Sequence, residues 1–148
     1  MGTYLVLANQ TAGSPELADS LKEIAKRDPV AEFVLLVPCT PAQDLMRPTE
    51  LDSQTVAEQA ATQALYKLSE QGIRFWRTAV SDSSPLVTIE KEIRSHSGRL
   101  YSGIIISTLP IEQSLWQRSN LPDRIAKIFG LPVTHVVGWG GGLDNGYE

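Results

Sequence analysis

The chain holds a single cysteine, Cys39, so no intrachain disulfide can form. It has no run of lysines and arginines, and its formal net charge is −4. Nucleic-acid binding needs a basic footprint, so that class of partner is excluded. The longest apolar runs, such as Val34–Val37, are far too short to cross a bilayer, so no membrane partner is expected. The amino-terminal residues lack the basic segment and long apolar core of a secretory signal. The expectation is a cytoplasmic protein, in which the sequon-like Asn9-Gln10-Thr11 stays unglycosylated.

What is present suits one soluble domain. The 148 residues are enough to bury a core without staples, and 42% hydrophobic with 20% charged is ordinary for a globular chain. Thr3–Ala8 is apolar and β-prone, a first strand. Ser14-Pro15 reads as an N-cap followed by proline at the first helical position, opening a helix to about Arg27 with Leu17, Leu21, Ile24 and Ala25 on one face. Glu32–Val37 is a second strand, stopped by the prolines of "PCTP". A second helix is expected from about Ser53 to Gln71, with Val56, Ala60, Ala64, Leu65 and Leu68 inward and Gly72 just past its end. Ile73–Val80 is a third strand. Ser84-Pro85 then opens a third helix, with Leu86, Ile89 and Ile93 inward, that ends near Gly98. Ser102–Ser107 is a fourth strand. Leu121-Pro122 opens a fourth helix with Ile125, Ile128 and Phe129 inward, closed by Gly130, and Pro132–Val137 is a fifth strand.

The order β-α-β-α-β-α-β-α-β predicts an α/β fold: a single doubly wound, five-stranded parallel sheet, Rossmann-like, with helices on both faces. Strands apolar over their whole length fit burial on both sides. The domain is expected to span residues 1–138, with a mobile, glycine-rich tail over 139–148.

In such a sheet, ligands sit at the carboxyl ends of the strands, near the point where strand order reverses. That rule selects five short stretches: Asn9–Gly13, Pro38–Pro41, Ser81–Ser84, Ser107–Arg118 and the residues after Val137. They are rich in hydroxyls and amides and poor in charge, an inventory suited to hydrogen bonding rather than catalysis. The candidate ligand-binding residues are Asn9, Thr11, Thr40, Asp82, Ser107, Thr108 and Arg118. Ser14 and Ser84 are read instead as helix caps, because proline follows each directly.

Catalytic groupings are missing. Cys39 has no base near it in sequence and lies between prolines, where a small buried hydrophobe is the simpler reading. His96 falls at the far end of the third helix and His135 lies inside the fifth strand, so the two histidines and one cysteine do not make a metal site. No Gly-x-Ser-x-Gly elbow, Walker loop or His-x-Gly-His signature occurs. Asp82 has no second carboxylate at its strand end. Glu16 and Asp19 read as charges favourable to the first helix's dipole. The chain is expected not to be an enzyme and to hold no resident metal or cofactor.

The stretches "LANQT", "VPCTP", "VSDSSPLVTI" and "GIIISTLP…GLPVTHVV" resemble the universal stress protein family over nearly the whole length. Asn9 stands where that family carries an aspartate. Nucleotide-binding members carry Gly-x2-Gly-x9-Gly-(Ser/Thr) after the fourth strand, where backbone N–H groups wrap phosphates. Here Ser107 and Pro110 replace the first two glycines, and Asn120 is the partial substitute for the third. Proline removes a donor and fixes φ, and the adjacent Ile111 resists positive φ. The turn is therefore not that glycine cradle. Two readings remain open for it. In one, Ser107, Thr108, Arg118 and the start of the fourth helix converge on a phosphate, which makes ATP the candidate cofactor, with Asn120 a further ligand-binding candidate. Alternatively Leu109, Leu115 and Trp116 pack the loop over the sheet.

The fifth strand is expected at an edge of the sheet, and "PVTHVV" has no lysine to discourage pairing. The resemblance implies a homodimer through this last strand, with Val133, His135, Val137 and Trp139 at the interface. If His135 is buried there, the dimer is expected to weaken as pH falls below ~6.5. The leading expectation is a non-catalytic, universal-stress-type homodimer acting in a stress response through protein interaction or small-ligand sensing. The alternative is an adenine-nucleotide binder with a non-glycine phosphate site.

Overall fold

In the computed structural model, the described residues are 2–8, 14–38, 53–81, 84–96, 98, 100–108 and 120–138, with the side chains of 53–57 and 60 excepted. Alternating elements run along them: β1 Thr3–Leu7, α1 Pro15–Arg27, β2 Glu32–Pro38, α2 Ser53–Glu70, β3 Phe75–Ser81, α3 Pro85–Ser95, β4 Tyr101–Thr108, α4 Leu121–Phe129 and β5 Val133–Val137. The five strands pair in the order β3-β2-β1-β4-β5, and every pairing is parallel. This is the doubly wound α/β sheet that the alternation of elements predicts.

Two apolar clusters sandwich the sheet. On one face Val6, Phe33, Leu35 and Ile105 pack against Leu17, Leu21 and Ile24 of α1 and Ala61, Ala64 and Leu68 of α2. On the other, Leu5, Leu7, Val34, Leu36, Ile104 and Ile106 meet Ile89 of α3 and Leu121 and Ile125 of α4. The strand period of two sends alternate residues of β1 to opposite clusters, which is why its run has no polar positions between the apolar ones.

The caps behave as the sequence suggests. Ser14 accepts a hydrogen bond from the Leu17 N–H at 3.2 Å, and Ser84 from the Val87 N–H at 3.3 Å. Gly72, past α2, has a φ of +87°, a left-handed turn that side chains with a Cβ resist.

Three details depart from expectation. Ile128 does not face inward; it is 60% exposed. Leu121, Ile125 and Phe129 recur every fourth residue and take up the narrow stripe that α4 buries, and Ile128 falls beside it. The third helix stops at Ser95, with His96 as its C-cap, short of Gly98. The sheet edges are also less buried than apolar strands imply: β3 is half-buried throughout, and Thr134, His135 and Val137 of β5 are exposed.

Candidate functional site

Strand order reverses between β1 and β4, so the crevice at their carboxyl ends is the place this topology reserves for a ligand. The chain leaves β1 at Ala8 and β4 at Thr108. Ser107 and Thr108 are both fully buried there. The Thr108 hydroxyl lies 2.8 Å from His135 Nε2 on neighbouring β5, and the Thr108 carbonyl accepts a 2.8 Å hydrogen bond from the Gly138 N–H. The end of β4 is thus tied to the end of β5 by a side-chain bond and a backbone bond.

Gly138 allows a further close approach. A Cβ there would stand 2.7 Å from Ser14 Oγ and 2.9 Å from Ser14 Cβ, so only glycine lets β5 exit against the start of α1. Glu16 belongs to the same corner. It sits in the first turn of α1, and its Oε1 is buried without a hydrogen-bond partner. A buried acceptor of this kind calls for a donor, and its charge disfavours a phosphate on the α1 side of the crevice.

The α4 side differs. Asn120, the residue before α4, has φ 60° and ψ 34°, and is the single non-glycine residue at positive φ among those described. Asparagine tolerates this left-handed conformation better than most residues. Its carboxamide makes no capping bond and has no other partner among the described residues. The position where the family resemblance requires its third glycine thus keeps glycine-like backbone geometry and presents an unused amide.

His135 stands between the crevice and the open edge. Its ring is exposed on one side, while Nε2 is tucked against Thr108. Burial of that end lowers its pKa below the ordinary 6.5, opposed by the negative charge of Asp123 on α4. Val133 is half-buried against the core, and Val137 is 40% exposed.

Of the residues singled out from sequence, the structure brings together Ser107, Thr108 and His135, with Asn120 at the start of α4 and Val133 and Val137 on the same strand face as His135. Asn9, Thr11, Thr40, Asp82, Arg118, Trp139, Cys39 and the tail 139–148 lie outside the described residues. Sequence reasoning took Glu16 as a dipole charge and did not single out Gly138. The proximity of "SPE" to "VVG" is a tertiary fact with no local signal. Among the described residues no group of three metal-ligating side chains comes together, and no helix is long and apolar enough to cross a membrane.

No protein-family model and no curated protein matches the chain. Solved structures do. A universal stress protein from Archaeoglobus fulgidus aligns at a TM-score of 0.58 with 14% identity, over 92% of this chain and 93% of its own. A universal stress protein family member from Burkholderia pseudomallei aligns at 0.53 with 13% identity, over 90% and 94%. A universal stress protein in complex with cAMP aligns at 0.51 with 12% identity, over 91% and 97%. At such identities the likeness speaks for the fold, and it covers the chain nearly end to end: this protein has the fold of the universal stress proteins, carried by a far-diverged sequence.

Proposed function

We propose that the chain is a divergent, non-catalytic, universal-stress-type homodimer that acts in a stress response, in the cytoplasm, by sensing a small ligand or binding a protein. The observation that carries the reading is the open edge at β5. Among the described residues this strand pairs with β4 alone, in unbroken register from Ile104 opposite Val133 to Thr108 opposite Val137. Its outer side presents no charge and no bulge to deter another strand. Two copies related by a two-fold axis would pair these edges and cover Val133, His135 and Val137. The stress role rests on the shared fold and on the sequence resemblance. Multi-angle light scattering tests the assembly: a mass of two chains is expected, reduced to one by Val137→Lys. A monomeric wild type would overturn the dimer.

A second reading is favoured by Asn120. An adenine nucleotide would lie across the ends of β1 and β4, with its phosphates at the start of α4, where N–H groups and the helix dipole favour anions. Asn120 would supply the left-handed backbone and one amide donor. The orphaned Glu16 Oε1 would keep the phosphates on the α4 side and accept from a hydroxyl or amine of the ligand. The related structure with cAMP makes a cyclic nucleotide a natural second probe. Calorimetric titration with Mg-ATP, ADP, AMP and cAMP tests this. Saturable binding near micromolar, about −8 kcal/mol, that is weakened by Asn120→Ala and abolished by Arg118→Ala supports it. Absence of heat up to millimolar nucleotide overturns it and leaves the homodimer reading standing.

A further inference from the structure

A second polar site lies away from the crevice, between β3 and α3. Helix α3 carries two stripes. Leu86, Ile89 and Ile93 pack on the sheet. Thr88, Lys91, Glu92, Ser95 and His96 recur at i, i+3, i+4, i+7 and i+8 and form a second, polar face. A polar stripe normally faces open solvent. Here Thr88 and Glu92 are buried, and all five residues line a cleft of about 340 Å³.

The opposite wall is built by a β-bulge. Phe33 pairs with Phe75 and Val34 with Arg77, so Trp76 is an extra residue in β3. The bulge turns Trp76 and Arg77 toward the same face of the sheet, the face covered by α3. Trp76 then meets the His96 ring edge-on, with centroids 5.0 Å apart. Arg77 reaches Glu92 Oε1 in an ion pair.

The donors in the cleft exceed the acceptors they meet. A guanidinium offers five N–H groups, and Glu92 is the sole partner of Arg77 among the described residues. The Lys91 ammonium and the Ser95 hydroxyl have none among them. Glu92 neutralises Arg77, so Lys91 leaves the cleft with surplus positive charge in a chain of net charge −4. Glu92 itself is only 5% exposed, and its Oε2 is buried without a hydrogen bond; His96 Nδ1 stands 3.4 Å away, in a long contact. A buried carboxylate oxygen in this state lacks a donor.

We propose that this groove binds a small hydroxylated anion. Its phosphate or carboxylate group lies between Arg77 and Lys91, and one of its hydroxyls donates to Glu92 Oε2 in place of the long His96 contact. Arginine and lysine together suit either anionic group, and the cleft has room for a molecule the size of a sugar phosphate or a hydroxy acid. His96 caps the end of α3 away from Ser84, so the groove reaches toward the amino ends of the strands. It is independent of the crevice at β1 and β4 and of the proposed function.

Amide and side-chain NMR spectra of the full chain test it, titrated with glycerol 3-phosphate in one arm and malate in the other, against sodium chloride at matched ionic strength. Saturable shifts are expected at Trp76, Arg77, Lys91, Ser95 and His96 in at least one arm, and the arm that saturates identifies the anionic group. Lys91→Gln removes an exposed charge and should weaken binding about tenfold. Arg77→Gln alone strands a buried carboxylate and endangers the fold. The double variant Arg77→Gln/Glu92→Gln keeps a neutral amide contact instead; it should retain the remaining spectrum and bind at least about tenfold more weakly. The proposal is overturned by shifts no larger than those from chloride up to about 10 mM, by shifts centred elsewhere, or by wild-type affinity in both variants.

Discussion

The two edges of the sheet solve one problem in opposite ways. An edge strand exposes unpaired N–H and C=O groups and invites another chain. At β3 the invitation is withdrawn. The bulge at Trp76 breaks the ladder, and the Arg77–Glu92 ion pair clamps the strand to α3. At β5 nothing of the kind occurs. The ladder is regular, the sequence "VTHVV" carries no fixed charge, and Val137 remains exposed. Among the described residues, one edge is occupied by the chain's own side chains and the other is left available. Intramolecular contacts therefore hold β3, while β5 is the edge on which the proposed assembly depends.

The largest expected effect breaks the comparison on the β5 side. Val137→Lys places a charge in the pairing of the two β5 edges and should raise the dimer dissociation constant about 100-fold, or ~2.7 kcal/mol. The monomer's own unfolding free energy should stay within about 0.5 kcal/mol, since Val137 is a surface position. Sedimentation and urea denaturation read the two quantities separately; a dimer as tight as wild type would remove β5 from the interface. The next effect breaks the β3 side. Arg77→Ala leaves Glu92 buried and unpaired, at a cost of about 2 kcal/mol in unfolding free energy. That is less than for a fully buried pair, because the Arg77 side chain is 34% exposed. Arg77→Gln/Glu92→Gln should recover most of the loss. No recovery would mean that Arg77 acts through packing of its stem rather than through its charge.

The same contrast explains what could be read from the sequence. The central strands were legible because burial on both faces leaves unbroken apolar runs such as "FVLLV". The starts of α1 and α3 were legible because Ser-Pro is a local signal with a local cause. The edge position of β5 followed from element order. The bulge did not, since "RFWRTAV" reads as one continuous strand and the extra residue shows only against the register of β2. Glu92 carries no local signal; its burial depends on a strand distant in sequence. At the crevice, Asn120 was legible by alignment to a glycine. The orphaned Glu16 oxygen and the Ser14–Gly138 contact arise where the first helix meets the last strand, so no local pattern carries them.

A smaller effect sharpens the β5 side through the segment that leads into it. Asn120 holds a left-handed conformation just before α4, and α4 in turn delivers β5 to the edge. Asn120→Gly relieves that conformation and should change stability by less than about 0.5 kcal/mol. Asn120→Ala keeps a Cβ in a residue type that tolerates this left-handed conformation less well and should cost about 1 kcal/mol. Thermal unfolding distinguishes the two, and equal stability of both variants would show that the backbone at position 120 relaxes freely.

The smallest effect is a pH dependence at β5. His135 titrates below its ordinary 6.5 because its Nε2 end is buried, with Asp123 opposing. Between that lowered value and 6.5, the unfolded chain binds more protons than the folded one. The contribution of His135 is therefore fully present above pH ~6.5 and falls away as pH drops through the folded pKa, below which it levels off. His135→Gln should flatten that part of the difference in unfolding free energy between wild type and variant. Asp123→Asn should lower the His135 pKa further, as a ring-proton NMR titration would read. If β5 edges pair, the partner strand dries the ring more completely, and the dimer should loosen in the same pH window. A His135 pKa at or above 6.5 would place the imidazole in solvent with its carboxylate neighbour dominant, and β5 would then be blunted by a charge of its own in acid.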